Sequence, residues 1–307
     1  MDRRAFFKKS FGASLLAGSY LALNREGLFA STARSRTSLP FDLVAVRGGE
    51  PEVMFTKGME ALGGIGAFVK KGQKVVVKPN MGWDVPPERG GNTNPKLMAE
   101  IVRQCLGAGA KEVYVFDHTC DSWQRCYKNS GIETAVKDAG GKIAPAHTEG
   151  YFHDVAIPGG KVLTKAKEHE LVLESDVFIN VPILKNHGGT RLTAALKNLM
   201  GNVWDRRFWH ANDLHQCIAD FATFRKPNLN IVDAYYVMKR NGPRGVSVED
   251  VVTMKAQLFS TDMVAIDTAA AKLFGMDPTD VDHIQIAAEQ KVGRMDLEKL
   301  NIKRITV

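Results

Sequence analysis

The stretch Asn180-Val-Pro-Ile-Leu-Lys-Asn-His-Gly-Gly-Thr-Arg-Leu-Thr-Ala-Ala-Leu-Lys-Asn-Leu-Met-Gly201 decides how the rest of the chain is read. Just before it, Asp176-Val-Phe-Ile-Asn-Val181 is an apolar run of the length of a buried strand. Pro182 cannot donate to a sheet ladder, so the strand is expected to end there. Gly188-Gly189 permit a turn with unusual backbone angles, and Thr190 then stands at a helix N-cap position. The spacing predicts a helix over 190–200, stopped by Gly201. On that helix Leu192, Leu196 and Leu199 form an apolar stripe, and Thr190, Thr193 and Lys197 a polar one. Lys185, His187, Thr193, Lys197 and Asn198 thereby face one cleft at the end of a strand.

Working outward, strands are predicted over 42–46, 74–78, 112–117, 142–145, 228–233, 255–259 and 302–307. Helices are predicted over 52–68, 95–106, 131–139, 212–224, 262–274 and 281–289. The loop 81–94, rich in Gly, Pro and Asn, has the length of a lid or binding loop. Residues 151–170 read as an inserted hairpin turning at Pro158-Gly-Gly160. This alternation predicts an α/β fold, a mainly parallel sheet covered by helices on both faces, with a small inserted hairpin. In such sheets ligands sit beyond the carboxyl ends of the strands. Those ends carry Lys78 and Asn80, Asp117 and His118, Lys185 and His187, Asp233, and Ser260 and Asp262.

The chain has 307 residues, with 44% hydrophobic and 24% charged, enough to bury a large core. Its first residues are less ordinary. Asp2-Arg-Arg-Ala-Phe-Phe-Lys-Lys9 has the pattern of a twin-arginine signal. An apolar segment from Phe11 to Leu23 and the small residues Ser31-Thr-Ala33 follow. Residues 1–33 are therefore read as an export signal, 34–40 as a linker and 41–307 as a single domain. The location expected is periplasmic or extracytoplasmic, with the twin-arginine translocase as a partner during export. The apolar segment is too short for a stable membrane span. The signal holds five Lys/Arg and two Asp/Glu, so excluding it lowers the formal charge from +7 to +4. Without a basic run interleaved with aromatics, nucleic acid is not an expected partner.

Each candidate has a functional and a plain reading. Lys78 and Asn80 bind a carboxylate or phosphate, or merely end a strand. Asp117 and His118 are an acid–base pair or metal ligands, or Asp117 caps a turn. Lys185 and Lys197 bind an anion, or one of them, desolvated, serves as a base. His187 donates to an anion beside the expected helix start. His210, Asp213 and His215 resemble a metal cluster, but positions five apart share a helix face poorly. Arg206-Arg-Phe-Trp-His210 forms a cationic, aromatic wall or an exposed loop. Asp233, Arg240 and Arg244 close over a ligand or belong to a tight turn; Asp262 binds ligand or caps a helix. Asp267 is a possible buried partner of a lysine. Cys120 and Cys126 are spaced for one disulfide in an oxidising compartment, and no C-x-x-C pair occurs. Dinucleotide, phosphate-loop and Gly-x-Ser-x-Gly motifs are absent.

With these residues the chain resembles the family called domain of unknown function 362. The matching pieces include Val77-Lys-Pro-Asn80, Gly107-Ala-Gly-Ala-Lys-Glu-Val113, Asn180-Val-Pro-Ile-Leu-Lys-Asn-His187 and Leu192-Thr-Ala-Ala-Leu-Lys-Asn-Leu-Met-Gly201. His210, Ile231-Val-Asp233, Gly242-Pro-Arg-Gly245 and Ser260-Thr-Asp-Met-Val-Ala-Ile-Asp267 extend the match over nearly the whole chain after the signal. The resemblance implies a shared fold and an association with iron–sulfur and redox proteins, with no settled reaction. Some relatives carry a segment of clustered cysteines, which this sequence lacks. The expectation is a redox-associated enzyme binding an anionic small molecule, with no cofactor or metal named. Lys185, His187, Lys197 and Asp117 would carry the chemistry. Lys78, Asn80, Thr193, Asn198, His210, Asp233, Arg244 and Asp262 would hold the ligand. The alternative is a non-catalytic maturation or assembly factor whose partner is an exported iron–sulfur or redox enzyme.

Overall fold

Val75-Val-Val77 shows why this chain folds as layers. In a strand, successive side chains point to opposite faces. Val75 and Val77 pack on one face with Met54, Phe55, Leu97 and Ile101, whereas Val76 packs on the other with Leu196, Ile218 and Val264. Residues 177–181 repeat the division, with Ile179 on the first face and Phe178 on the second. A strand apolar on both faces requires cover on both, and each fully buried valine contributes roughly 1.5–3 kcal/mol. The computed structural model describes residues 39–307. The expected signal at 1–33 and most of the expected linker lie outside the described residues.

The strands are β1 (Leu43–Arg47), β2 (Lys74–Pro79), β3 (Glu112–Val115), β4 (Lys142–Ile143), β5 (Phe152–Ala156), β6 (Lys165–His169), β7 (Val177–Val181), β8 (Ile183–His187), β9 (Arg191–Thr193), β10 (Leu229–Met238), β11 (Val251–Ser260) and β12 (Ile302–Thr306). The main sheet has ten strands, with the path β12-β1-β11-β10-β7-β2-β3-β4 and β8 joining β10 to β9. Its pairings are parallel except those of β11 with β1 and β10, and of β8 with β9. β5 and β6 form the expected separate hairpin, pairing Phe152 with His169. The fold class is thus α/β, as the sequence implied. Among the described residues no helix is long and apolar enough to cross a membrane.

The opening stretch departs from its reading. Val181 does end β7, and Pro182 follows it, but the chain resumes at once as β8. Gly188-Gly189 then turn a β-hairpin, with Lys185 opposite Thr193 and His187 opposite Arg191. Thr190 is no N-cap; its hydroxyl donates to the Leu192 carbonyl at 3.1 Å. Only Ala195–Asn198 is α-helical, extended by a 3-10 turn over Leu199–Asn202. Leu192, Leu196 and Leu199 are all buried, so core burial satisfied the periodicity without a continuous helix. Asp267 caps this short helix, accepting from Ala195 N–H at 2.6 Å and Leu196 N–H at 2.9 Å. Its partner is backbone rather than a lysine, and burial raises its carboxyl to about 7.

Candidate functional site

Three parallel strands end at the cleft. Lys78 stands two residues after Val76 on β2 and points to the same face. Its ammonium lies 2.9 Å from Asp117 Oδ1 and donates to Asn198 Oδ1 at 2.9 Å. Asp117 follows β3, and its other oxygen accepts from Met81 N–H at 2.7 Å. Burial lowers the Lys78 pKa, opposed by the Asp117 charge. Asn198 is held by further partners: its Nδ2 donates to Asn180 Oδ1 at 2.8 Å, and Asn80 Nδ2 donates to its Oδ1 at 3.2 Å. Gly201 belongs to this arrangement. A Cβ there would collide with Asp117 Oδ1 and Lys78 Nζ, so close approach requires glycine rather than helix termination.

Lys185 and Lys197 differ from Lys78. Lys185 is 1% exposed and, among the described residues, donates only to neutral oxygens, Gly91 O at 2.6 Å and Asn80 Oδ1 at 3.2 Å. Burial, chiefly, brings it down to about 7. Lys197, partly buried, has neither a hydrogen-bond nor a carboxylate partner among the described residues. Burial again leads, helped by the Arg206 and Lys78 charges, in bringing it down to about 8. A cleft of about 60 Å³ joins them, lined by Lys78, Asn80, Asp117, Lys185, His187, Thr193, Lys197 and Asn198. Trp83, His118, Cys120, Met200, Gly201, Arg206, Pro243 and Gly82 complete its walls.

The two histidines offer opposite groups. His187 Nδ1 accepts from Gly189 N–H at 3.0 Å and Thr190 N–H at 3.2 Å, which puts the ring proton on Nε2 as a donor. Burial, with the charges of Lys197 and Lys185, lowers His187 to about 3, so it stays neutral. His118 Nδ1 lies 2.8 Å from Val203 O, which can only accept. Nε2 of His118 is therefore left as an acceptor, and burial followed by the Arg206 charge lowers its pKa. Its ring stacks on Trp204 at 4.9 Å between centroids. Thr193 is 2% exposed, and its hydroxyl oxygen has no partner among the described residues. Arg206 anchors the rim by donating to His118 O at 2.9 Å and Thr119 O at 2.7 Å. Donors and positive charge thus outnumber acceptors around the cleft.

Four expected ligand residues lie off the cleft walls. Asp233 is mid-strand, because β10 continues to Met238; its oxygens accept from Asn94 N–H at 2.7 Å and Tyr235 N–H at 3.0 Å. Burial raises it to about 6. Asp262 follows β11, which runs antiparallel to its neighbours and so ends at the opposite edge; it caps the helix Met263–Phe274. Arg244 is exposed and pairs with Asp121 at 3.3 Å. His210 is exposed on the helix Arg206–Ala211. Nor do His210, Asp213 and His215 gather; Asp213 caps the helix Leu214–Ala222, and His215 lies against His283. Cys120 and Cys126 are free thiols, without the envisaged disulfide. Trp83 and Cys120 were not singled out for the site. The usable signal was their place in loops following β2 and β3 at the carboxyl edge.

A family model described as domain of unknown function (DUF362) matches residues 75–272, spanning every one of the charged groups on the cleft walls. The chain belongs to the DUF362 family. A thylakoid-associated protein of Synechocystis sp. is 28% identical over 251 residues, covering 76% of this DUF362 chain and 73% of that protein. Among solved structures, the lactate racemase apoprotein from Thermoanaerobacterium thermosaccharolyticum is similar with a TM-score of 0.43 and 13% identity. The similarity covers 71% of this chain and 54% of that one.

Proposed function

We propose that this DUF362 protein is an enzyme acting on a small anionic molecule held in the Lys185–Lys197 cleft, in a redox-associated setting. The observation that carries the reading is Lys197, a partly buried ammonium that has no partner among the described residues, beside a second lysine that has no carboxylate among them. Removing charge from water is costly unless a counter-charge is supplied. Lys78 has that counter-charge in Asp117; a bound anion would supply it to Lys185 and Lys197. His187 Nε2–H and the unpartnered Thr193 hydroxyl offer neutral hydrogen bonds to the same ligand. The Nε2 lone pair of His118, or a lysine in its neutral form, can take a proton from it. The redox setting rests on the family resemblance of the motifs around these residues, and export on Arg3-Arg4 and the apolar segment after them.

The test is a thermal-shift screen of purified protein against small carboxylates and phosphates, with mass analysis of whatever co-purifies. A ligand at about a hundred times its Kd stabilises by about 2.7 kcal/mol. Lys197→Met should abolish that gain; a variant retaining the full shift removes Lys197 from the site. An empty cleft together with a stoichiometric co-purifying redox enzyme would instead favour the assembly-factor reading. For export, replacing Arg3 and Arg4 by Lys should leave the protein in the cytoplasm, and unchanged export contradicts the signal.

A further inference from the structure

The cleft wall carries one group that anion binding alone does not use. Cys120 is exposed and unbridged, and its sulfur lies 3.5 Å from Arg206 Nη1. Its backbone is fixed, with Cys120 N–H donating to Gly82 O at 2.8 Å. Gly82 lies against the sulfur without a side chain to cover it; an added Cβ would sit in van der Waals contact with Sγ at 3.6 Å. Lys185 and Lys197 line the same cleft. So does Thr193, 98% buried by its 2% exposure, whose hydroxyl has no partner among the described residues and so calls independently for a ligand there.

We propose that Cys120 is a nucleophilic thiol of this cleft that exchanges with small disulfides bearing carboxylates. The inference rests on the cleft being an anion site. Carboxylates of the reagent meet Lys185, Lys197 and Arg206, which brings a disulfide sulfur to Sγ. In the step, Cys120 Sγ attacks one sulfur of the small disulfide. The new Cys120–sulfur bond forms as the reagent's own S–S bond breaks. The electron pair leaves on the second half as a thiolate, and the Cys120 proton passes to solvent. The remaining thiols provide a quiet background. Cys105, Cys126 and Cys217 are buried, and burial raises them to about 12, about 12 and about 11.

The experiment compares two probes on the native protein, the dicarboxylate 5,5′-dithiobis(2-nitrobenzoate) and the neutral 4,4′-dithiodipyridine, with free cysteine as the reference. One thiol should react rapidly, and peptide mapping of labelled wild type should place the label on Cys120. Its preference for the anionic probe should exceed that of free cysteine by about tenfold, the lower end of charge-steering effects. Lys197→Met and about 0.5 M salt should each return the ratio toward that of free cysteine. A ratio equal to free cysteine, or labelling of another thiol first, overturns the proposal. If small anions still stabilise the protein in that case, only the role of Cys120 fails. If they do not, the anion site itself fails with it.

Discussion

Lys78 and Lys197 stand at the same sheet edge yet live in different electrostatic surroundings. Lys78 is enclosed with Asp117, braced by Asn198 and accommodated by the missing side chain of Gly201. Among the described residues Lys197 has no such partner, and Lys185 has only neutral oxygens. Matched charges of the first kind hold β2, β3 and the short helix Ala195–Asn198 together. Unmatched charges of the second kind are ready for a ligand. Lysines of two sequence motifs that meet at one cleft thus differ in role through their partners.

The largest effect should come from breaking the matched pair. Asp117→Asn leaves the Lys78 ammonium buried without its counter-charge, and chemical denaturation should show a loss of about 3–5 kcal/mol. A loss under about 1 kcal/mol would mean the pair is not structural. Gly201→Ala drives a methyl into the same pair and should cost about 1–3 kcal/mol by the same measurement. The smallest stability effect belongs to the unmatched lysine. Lys197→Met should change stability by no more than about 0.5 kcal/mol, or raise it, because it removes repulsion from Arg206 and Lys78. A loss comparable to that of Asp117→Asn would erase the distinction between the two lysines.

How much of this was legible depended on whether local pattern or strand direction decided the outcome. The Val75–Val77 run and the 151–170 hairpin follow from local chemistry and stand as read. The stretch 190–200 misled because Leu192, Leu196 and Leu199 have helical spacing, while hairpin pairing with β8 set the conformation of 191–193. Thr193 and Lys197 still reach one cleft, although not along one helix face. Asp233 and Asp262 misled for another reason. Sequence does not announce that β10 runs five residues past Asp233, or that β11 is antiparallel and carries Asp262 to the far edge. Lys78, Asn80 and Asp117 were legible as strand-end residues because their strands are parallel and end where the apolar runs end, whereas Lys185 and His187 reach the cleft on β8, a further strand that the sequence reading did not separate from β7.

Protonation gives the most direct test of the unmatched pair. Both lysines are lowered in the folded protein, to about 7 and about 8, from the ordinary 10.5. Between those values the unfolded chain binds more protons, so their contribution to ligand-free stability rises with pH across that window. Anion affinity must move the opposite way, because it requires the charged forms. Calorimetric titration with sulfate, whose charge is constant over this range, should therefore be made at low salt at about pH 6 and about pH 9, on wild type and Lys197→Met. The account predicts wild-type binding that weakens by about tenfold or more at the higher pH, and no measurable binding by the variant. Equal binding by wild type and variant at both pH values would contradict it.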